Sequence, residues 1–190
     1  MTPIRTERLI LRNWQDRDRR LFRRINSDER VMEFFPLRRD GPQSDATMDE
    51  MRDVIDRDGF GWSAVEIAAS GECIGFVGLG VADIEPAALA GAVEIGWRLA
   101  PEYWGKGYVT EAAEAWLAYG FETLGLDEIM SFAVWNNVRS TAVMERLGMS
   151  HDLSSDFDHP RVPHTHPQLK RHVLYRLSRK DWQARKRAAP

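Results

Sequence analysis

Between Ala92 and Leu99 apolar and polar residues alternate. Val93, Ile95, Trp97 and Leu99 share one parity, and Glu94, Gly96 and Arg98 share the other. Period two is that of a strand with one buried face. Pro101 stops it, and Gly105 and Gly107 flank Lys106 in a tight turn. From Tyr108 the period changes. Val109, Ala112, Ala113, Trp116, Leu117, Gly120, Phe121 and Leu124 recur at threes and fours, the stripe of a helix with one buried face, and Gly125 stops it. The segment predicts strand, glycine turn, helix. Such a unit aims unpaired backbone N–H groups and the positive end of the helix dipole at one point, a seat for phosphate. The turn contains neither G-x-x-x-x-G-K-[ST] nor G-x-G-x-x-G, so it is neither a P-loop nor a dinucleotide fingerprint.

The pattern elsewhere predicts further elements. Residues 6–14 read as a first strand. Asp16 or Asp18 caps a helix with Leu21, Phe22 and Ile25 inward, and Ser27 starts a second short helical turn with Val31, Met32, Phe34 and Phe35 as its apolar side. Residues 36–44 form a polar loop in which Gly41-Pro42 marks a turn. Thr47-Met48-Asp49-Glu50 is a capping box opening a helix that buries Met48, Met51, Val54 and Ile55 and ends at Asp58-Gly59. Residues 61–67 and 73–81 are strands of a hairpin turning near Gly71. Gly75 to Gly80 has the look of a phosphate loop, but no helical pattern follows, so it reads as a glycine-bearing strand. Residues 83–91 connect to the alternating segment. After the helix, residues 127–135 form an apolar strand buried on both faces, and the helical crossover makes it parallel to 92–99. Asn137-Val138-Arg139-Ser140 opens a short helix through Leu147, which Gly148 ends. Residues 156–167 are a loop with three prolines and three of the five histidines, and residues 172–177 are the last strand. The sum is a mixed α/β layer of the α+β type, antiparallel early with one parallel pair late.

Composition narrows this only slightly. At 190 residues with 43% hydrophobic content the chain suits one domain, 1–190, with 183–190 a frayed tail. No apolar run approaches the roughly 20 residues of a membrane helix, and no leader pattern opens the chain. Cys73 is the single cysteine, so no internal disulfide forms, in keeping with a cytoplasmic protein. It reads as a buried, inert thiol. A net charge of −3 gives no nucleic-acid footprint. No membrane partner is expected, and a homodimer is left open.

Residues 102–107, Glu-Tyr-Trp-Gly-Lys-Gly, resemble the pyrophosphate turn of the GNAT superfamily of N-acetyltransferases, Gln/Arg-x-x-Gly-x-Gly/Ala, departing from it at Glu102. The longer run E-I-G-W-x-L-x-P-E-Y-W-G-K-G-Y-x-T-E-A and the opening Thr-Glu-Arg-Leu are similar to the branch of ribosomal-protein N-terminal acetyltransferases. The order of elements resembles that fold from end to end. The resemblance implies a mixed sheet of six to seven strands with one splayed parallel pair and about four helices. It implies acetyl-CoA as co-substrate, a primary amine as acceptor (a protein or peptide N-terminus, or a small amine) and direct attack in a ternary complex. It assigns pantetheine to the main chain of Trp97 and Leu99. Pyrophosphate falls to Trp104, Gly105, Lys106, Gly107, Tyr108 and Val109 with Thr110, and the cofactor arm to Asn137.

Direct transfer needs a neutral amine, donors for the developing oxyanion and a proton for the departing thiolate. Where many relatives carry a tyrosine acid this chain has Met144, and the resemblance to the ribosomal branch implies Ser140, the serine of Asn-x-x-Ser, as the candidate acid. Read by itself it is the N-cap of its helix, and one side chain can do both. Glu94 matches the position of a glutamate used by some family members, so the resemblance makes it the candidate base, against an ordinary sheet carboxylate paired with arginine. Glu66, Asp158 and His159 are its rivals. His164-x-His166 lacks a second cluster at ligand spacing, and no metal is expected. The departures at Glu102 and Met144 also suit a cofactor-binding sensor without turnover.

Overall fold

The computed structural model describes residues 1–82, 89 and 91–188, so most of the expected 83–91 connection lies outside the described residues. Among the described residues nine strands form a mixed sheet: β1 (Ile4–Arg5), β2 (Leu9–Arg12), β3 (Trp62–Ile67), β4 (Cys73–Val81), β5 (Val93–Leu99), β6 (Glu128–Val134), β7 (Ser150–His151), β8 (Phe157–Asp158) and β9 (Arg171–Ser178). Their order is β1-β2-β3-β4-β5-β6-β9-β7, with β8 also on β9. Five α-helices accompany them: α1 (Arg19–Ser27), α2 (Gly41–Asp58), α3 (Tyr108–Ala118), α4 (Val138–Arg146) and α5 (Arg179–Ala188). The expected parallel pair is β5 with β6, Glu94 opposite Met130. β9 runs antiparallel to β6 from Glu128–Ser178 to Val134–His172. The strands outnumber the expected six to seven because β1, β7 and β8 are two-residue pieces, too short to leave a period in the sequence.

The residues divide into two compact units, Met1–Gly80 with Gly96–Ala115, and Val81–Ile95 with Trp116–Pro190. In the first, Phe22 and Ile25 of α1, Met48 and Ile55 of α2, Ala64 of β3 and Phe76 of β4 share one core with Trp14. The Trp14 indole donates to the Trp62 carbonyl at 2.7 Å, which lets a polar aromatic sit there at no unpaired cost. Two expectations fail in this unit. α2 opens at Gly41, not at the 47–50 capping box, because Asp40 and Gln43 exchange cap bonds (2.8 and 3.1 Å) and Pro42 fits the first turn. Gly41-Pro42 is therefore a helix start. Residues 28–35 are turns rather than a second helix. Asp28 ends α1 in extended conformation and accepts from the Arg30 backbone (2.9 Å) and guanidinium (2.7 Å), a local competitor to helical bonding. Val31 and Met32 are buried all the same.

β3 and β4 make the expected hairpin, with Gly71 left-handed at φ 71°. Gly75 in β4 is required by close approach. A Cβ there would meet the Arg98 carbonyl oxygen at 2.2 Å, and its φ is 147°.

In the second unit Met130 of β6, Phe157 of β8 and Leu174 of β9 pack with Ala82 and Leu89. α3 ends in a π turn, Tyr119–Thr123. The expected frayed tail is instead α5, helical to Ala188. Trp182 anchors it, buried with its ring 5.2 Å from that of Phe121, and Arg185 donates to the Leu147 carbonyl. Its run of charges hid one buried aromatic from a reading based on composition. No helix among the described residues is long and apolar enough to cross a membrane.

Candidate active site

In the first unit a short 3-10 turn, Pro101–Tyr103, leads from β5 towards α3. Gly105 and Gly107 are both left-handed, φ 71° and 78°, a conformation that costs other L-residues roughly 1–2 kcal/mol each. The first helical bond of α3 runs from Glu111 N–H to the Gly107 carbonyl, 3.0 Å. The N–H groups of Gly105, Lys106, Gly107, Tyr108, Val109 and Thr110 consequently have no acceptor among the described residues. Six donors at a helix N-terminus fit a multiply charged oxyanion. Trp104 differs from its expected role, since its N–H already donates to Pro101 O (3.1 Å) and its indole to Leu99 O (2.8 Å). It braces the turn, and the Leu99 carbonyl is engaged in that brace. Trp97 and Leu99 lie on β5 beyond its pairing at Glu94.

Glu102, unhelpful on paper beside a pyrophosphate, pairs with Arg24 of α1. Sequence reasoning missed Arg8. Its guanidinium lies 4.7 Å over the Tyr108 ring, donates to the Lys106 carbonyl (3.1 Å) and pairs with Glu111 at 2.6 Å. Glu111 also accepts from Thr6 Oγ1 at 2.6 Å and Arg8 N–H at 2.8 Å. The strand opening thus fastens the first turn of α3. Both partners lie in the family-like runs, Arg8 in Thr-Glu-Arg-Leu and Glu111 in the run ending Thr-Glu-Ala, but the sequence does not show that they meet, because they are more than a hundred positions apart.

In the second unit Glu94 stands on β5 opposite Met130. Burial pushes its carboxyl up to about 7, against the pull of the Arg161 charge. Among the described residues it has no hydrogen bond or ion pair, so the paired sheet carboxylate weighed above does not form. Asn137 Oδ1 accepts from Ser140 N–H at 3.3 Å, which makes Asn137 the N-cap of α4. Ser140 is the third helical residue, not the cap, and its hydroxyl has no partner among the described residues. Asn137 keeps its Nδ2 donor for another group. Met144 is buried, 1% exposed, a core residue. No hydrogen bond joins Glu94 to Ser140 among the described residues.

The rivals are otherwise engaged. Glu66 is held by Arg12 (2.7 Å) and Arg17 (2.8 Å), and Arg12 also grips Asp18 at 2.7 Å. Asp158 lies 3.7 Å from Arg171 at the surface. His159 and His172 stack with Phe132 and Phe157, ring centroids 4.9 to 6.0 Å apart. The His159 Nδ1 accepts from Arg161 N–H (3.2 Å), and burial holds both imidazoles low, His172 at about 4. His159 thereby ties the start of the histidine-bearing loop to these rings, while His164 further along the loop is exposed. Burial raises the Cys73 thiol to about 12, as suits an inert group. No cluster of three metal-ligating side chains occurs among the described residues.

Comparisons with known proteins bear on this arrangement. The family model described as "Acetyltransferase (GNAT) domain" matches residues 8–150. The FsC-acetyl coenzyme A-N(2)-transacetylase of Aspergillus fumigatus is 34% identical over 90 residues, 47% of this chain, and the match spans only 37% of that protein's length. YkkB of Bacillus subtilis is 32% identical over 78% of this chain and 85% of its own. The crystal structure of the acetyltransferase from Agrobacterium tumefaciens strain C58 aligns with TM-score 0.74 at 29% identity, over 93% of this chain and 94% of that one. On a domain match covering most of its length, this chain belongs to the GNAT acetyltransferase family.

Proposed function

We propose that the chain transfers the acetyl group of acetyl-CoA to a primary amine by direct attack in a ternary complex. The single observation that carries this is the row of six unpaired N–H groups from Gly105 to Thr110. It is the donor set a pyrophosphate needs, in a family whose fungal relative is named for acetyl coenzyme A. The backbone of Trp97 and Leu99 and the Nδ2 of Asn137 hold and orient the arm, with the Leu99 carbonyl shared with the Trp104 indole. Glu94 takes the proton released when the amine nitrogen bonds the acetyl carbon. A carboxyl near 7 suits that task at neutral pH. As the carbon–sulfur bond breaks, Ser140 donates a hydrogen bond to the departing sulfur, aided by the N-terminus of α4. A hydroxyl is a poor acid, so its role is polarisation more than full proton transfer.

One observation favours a second reading, a cofactor-binding sensor without turnover. Met144 stands where many relatives carry their tyrosine acid, and it is sealed in the core. Glu102 no longer supports that reading, since Arg24 neutralises it. Thiol release on a broad amine panel decides between them. The enzyme reading expects turnover that falls about 10²- to 10⁴-fold in Glu94→Gln, the usual scale of acid–base catalysis. Acetyl-CoA binding with no turnover on any amine would favour the sensor.

A further inference from the structure

In the first unit the guanidinium of Arg98 on β5 is covered by two aromatic rings, 4.2 Å from the Phe35 centroid and 5.3 Å from that of Phe76. Its Nη1 donates to Asn26 Oδ1. Its Nε is buried with no acceptor. Asn26 is fully buried, and with Oδ1 engaged by Arg98 its Nδ2 is buried without an acceptor as well. Arg39 adjoins them, its N–H on the Asn26 carbonyl at 3.3 Å. Burial, with the Arg39 charge adding to it, lowers Arg98 to about 9, so it still carries its charge at neutral pH. Elsewhere in this unit Arg12, Arg19, Arg23 and Arg24 each have a carboxylate partner. Neither Arg98 nor Arg39 has one among the described residues.

Every unmet group in this cluster is a donor, and the charge is positive. Burying an unpaired guanidinium is expensive, and leaving two donors orphaned beside it adds to the cost. Stacked rings cover the faces of a guanidinium and leave its in-plane N–H groups for a ligand. Parallel in-plane donors match the two oxygens of a carboxylate. Phe35, 42% exposed, puts one wall of the cluster at the surface.

We propose that Arg98, Asn26 and Arg39 bind a carboxylate of the acceptor, so that the acetylated amine belongs to an amino acid or a similar small amino carboxylate. This rests on the acetyl-transfer reading only in calling that ligand the acceptor. The test is calorimetry on the full chain without acetyl-CoA, titrating each common L-amino acid against its carboxamide, with phosphoethanolamine as a second anion. The expected result is at least one acid bound about tenfold to a hundredfold more tightly than its amide, the scale of one charged hydrogen-bond pair. That preference is lost in Arg98→Gln and reduced in Arg39→Gln. The second variant carries the test if the first does not fold. Equal binding of acid and amide, no binding of any acid, or binding of phosphoethanolamine alone overturns the proposal. A separate acetyl-CoA titration keeps the two readings apart. Acid-selective binding without acetyl-CoA binding removes the transferase and leaves the carboxylate site, and the reverse pattern does the opposite.

Discussion

A carboxyl poised near 7 on β5 makes two separable predictions. If Glu94 is the base, the rate rises with pH through about 7 as the carboxylate forms, and Glu94→Gln flattens that limb while lowering kcat. A pH–rate profile of both proteins checks this. Ser140→Ala is expected to lower kcat with little change in stability, because Asn137, not Ser140, caps α4. Asn137→Ala is expected to cost about 1 kcal/mol of stability, read from denaturant unfolding. At this scale the sequence singled out residues by their place in a run: Glu94 by the strand before the glycine turn, Asn137 and Ser140 by the Asn-x-x-Ser segment. Arg8, although inside the Thr-Glu-Arg-Leu opening, was not singled out, nor were Arg98 and Asn26, because their meaning lies in partners brought to them by folding, or in partners that are missing.

Among the elements, the glycine turn was legible as strand, turn and helix since both periods are strong and both glycines are left-handed. Gly105→Ala and Gly107→Ala are both expected to weaken acetyl-CoA binding, and by similar amounts. The two share the same backbone strain, and a Cβ at either position meets nothing closer than ordinary van der Waals contact. Acetyl-CoA affinity measured for both variants checks this. Gly75→Ala is expected to leave no folded protein by circular dichroism, since its Cβ would overlap the Arg98 carbonyl, backbone that cannot step aside. The start of α2 was misplaced because two capping patterns lie seven residues apart, and the later one falls inside the helix that Asp40 and Gln43 open. α5 was missed because a single buried tryptophan outweighs a run of surface charge.

For the molecule as a whole, half-buried Glu94 and buried His172 pull stability in opposite directions with pH. Glu94 is raised from 4.5 to about 7, so the folded state holds the extra proton and gains stability as pH falls across that window. His172 is depressed from 6.5 to about 4, so its contribution is complete above 6.5 and is lost as pH falls towards 4. Each amounts to about 3 kcal/mol at most. Burial depresses His159 in the same sense as His172, so between about 6.5 and 4.5 the wild type is expected to lose some stability on acidification, Glu94→Gln to lose more and His172→Phe to lose least of the three. Urea midpoints across that range check the three slopes. The early antiparallel strands and the late parallel pair were readable from period and crossover alone. What sequence left unread was the set of two-residue strands and the ion-pair network of Arg12, Asp18 and Glu66, whose members are spread over fifty residues.

The central claim is that the turn from Gly105 to Thr110 seats the pyrophosphate of acetyl-CoA. Calorimetric titration of acetyl-CoA into the intact protein tests it most directly. The account expects one molecule bound per chain, with Kd between about 1 μM and 1 mM and weaker binding in Gly107→Ala. No detectable binding, or binding indifferent to Gly107→Ala in a variant that remains folded, would contradict it.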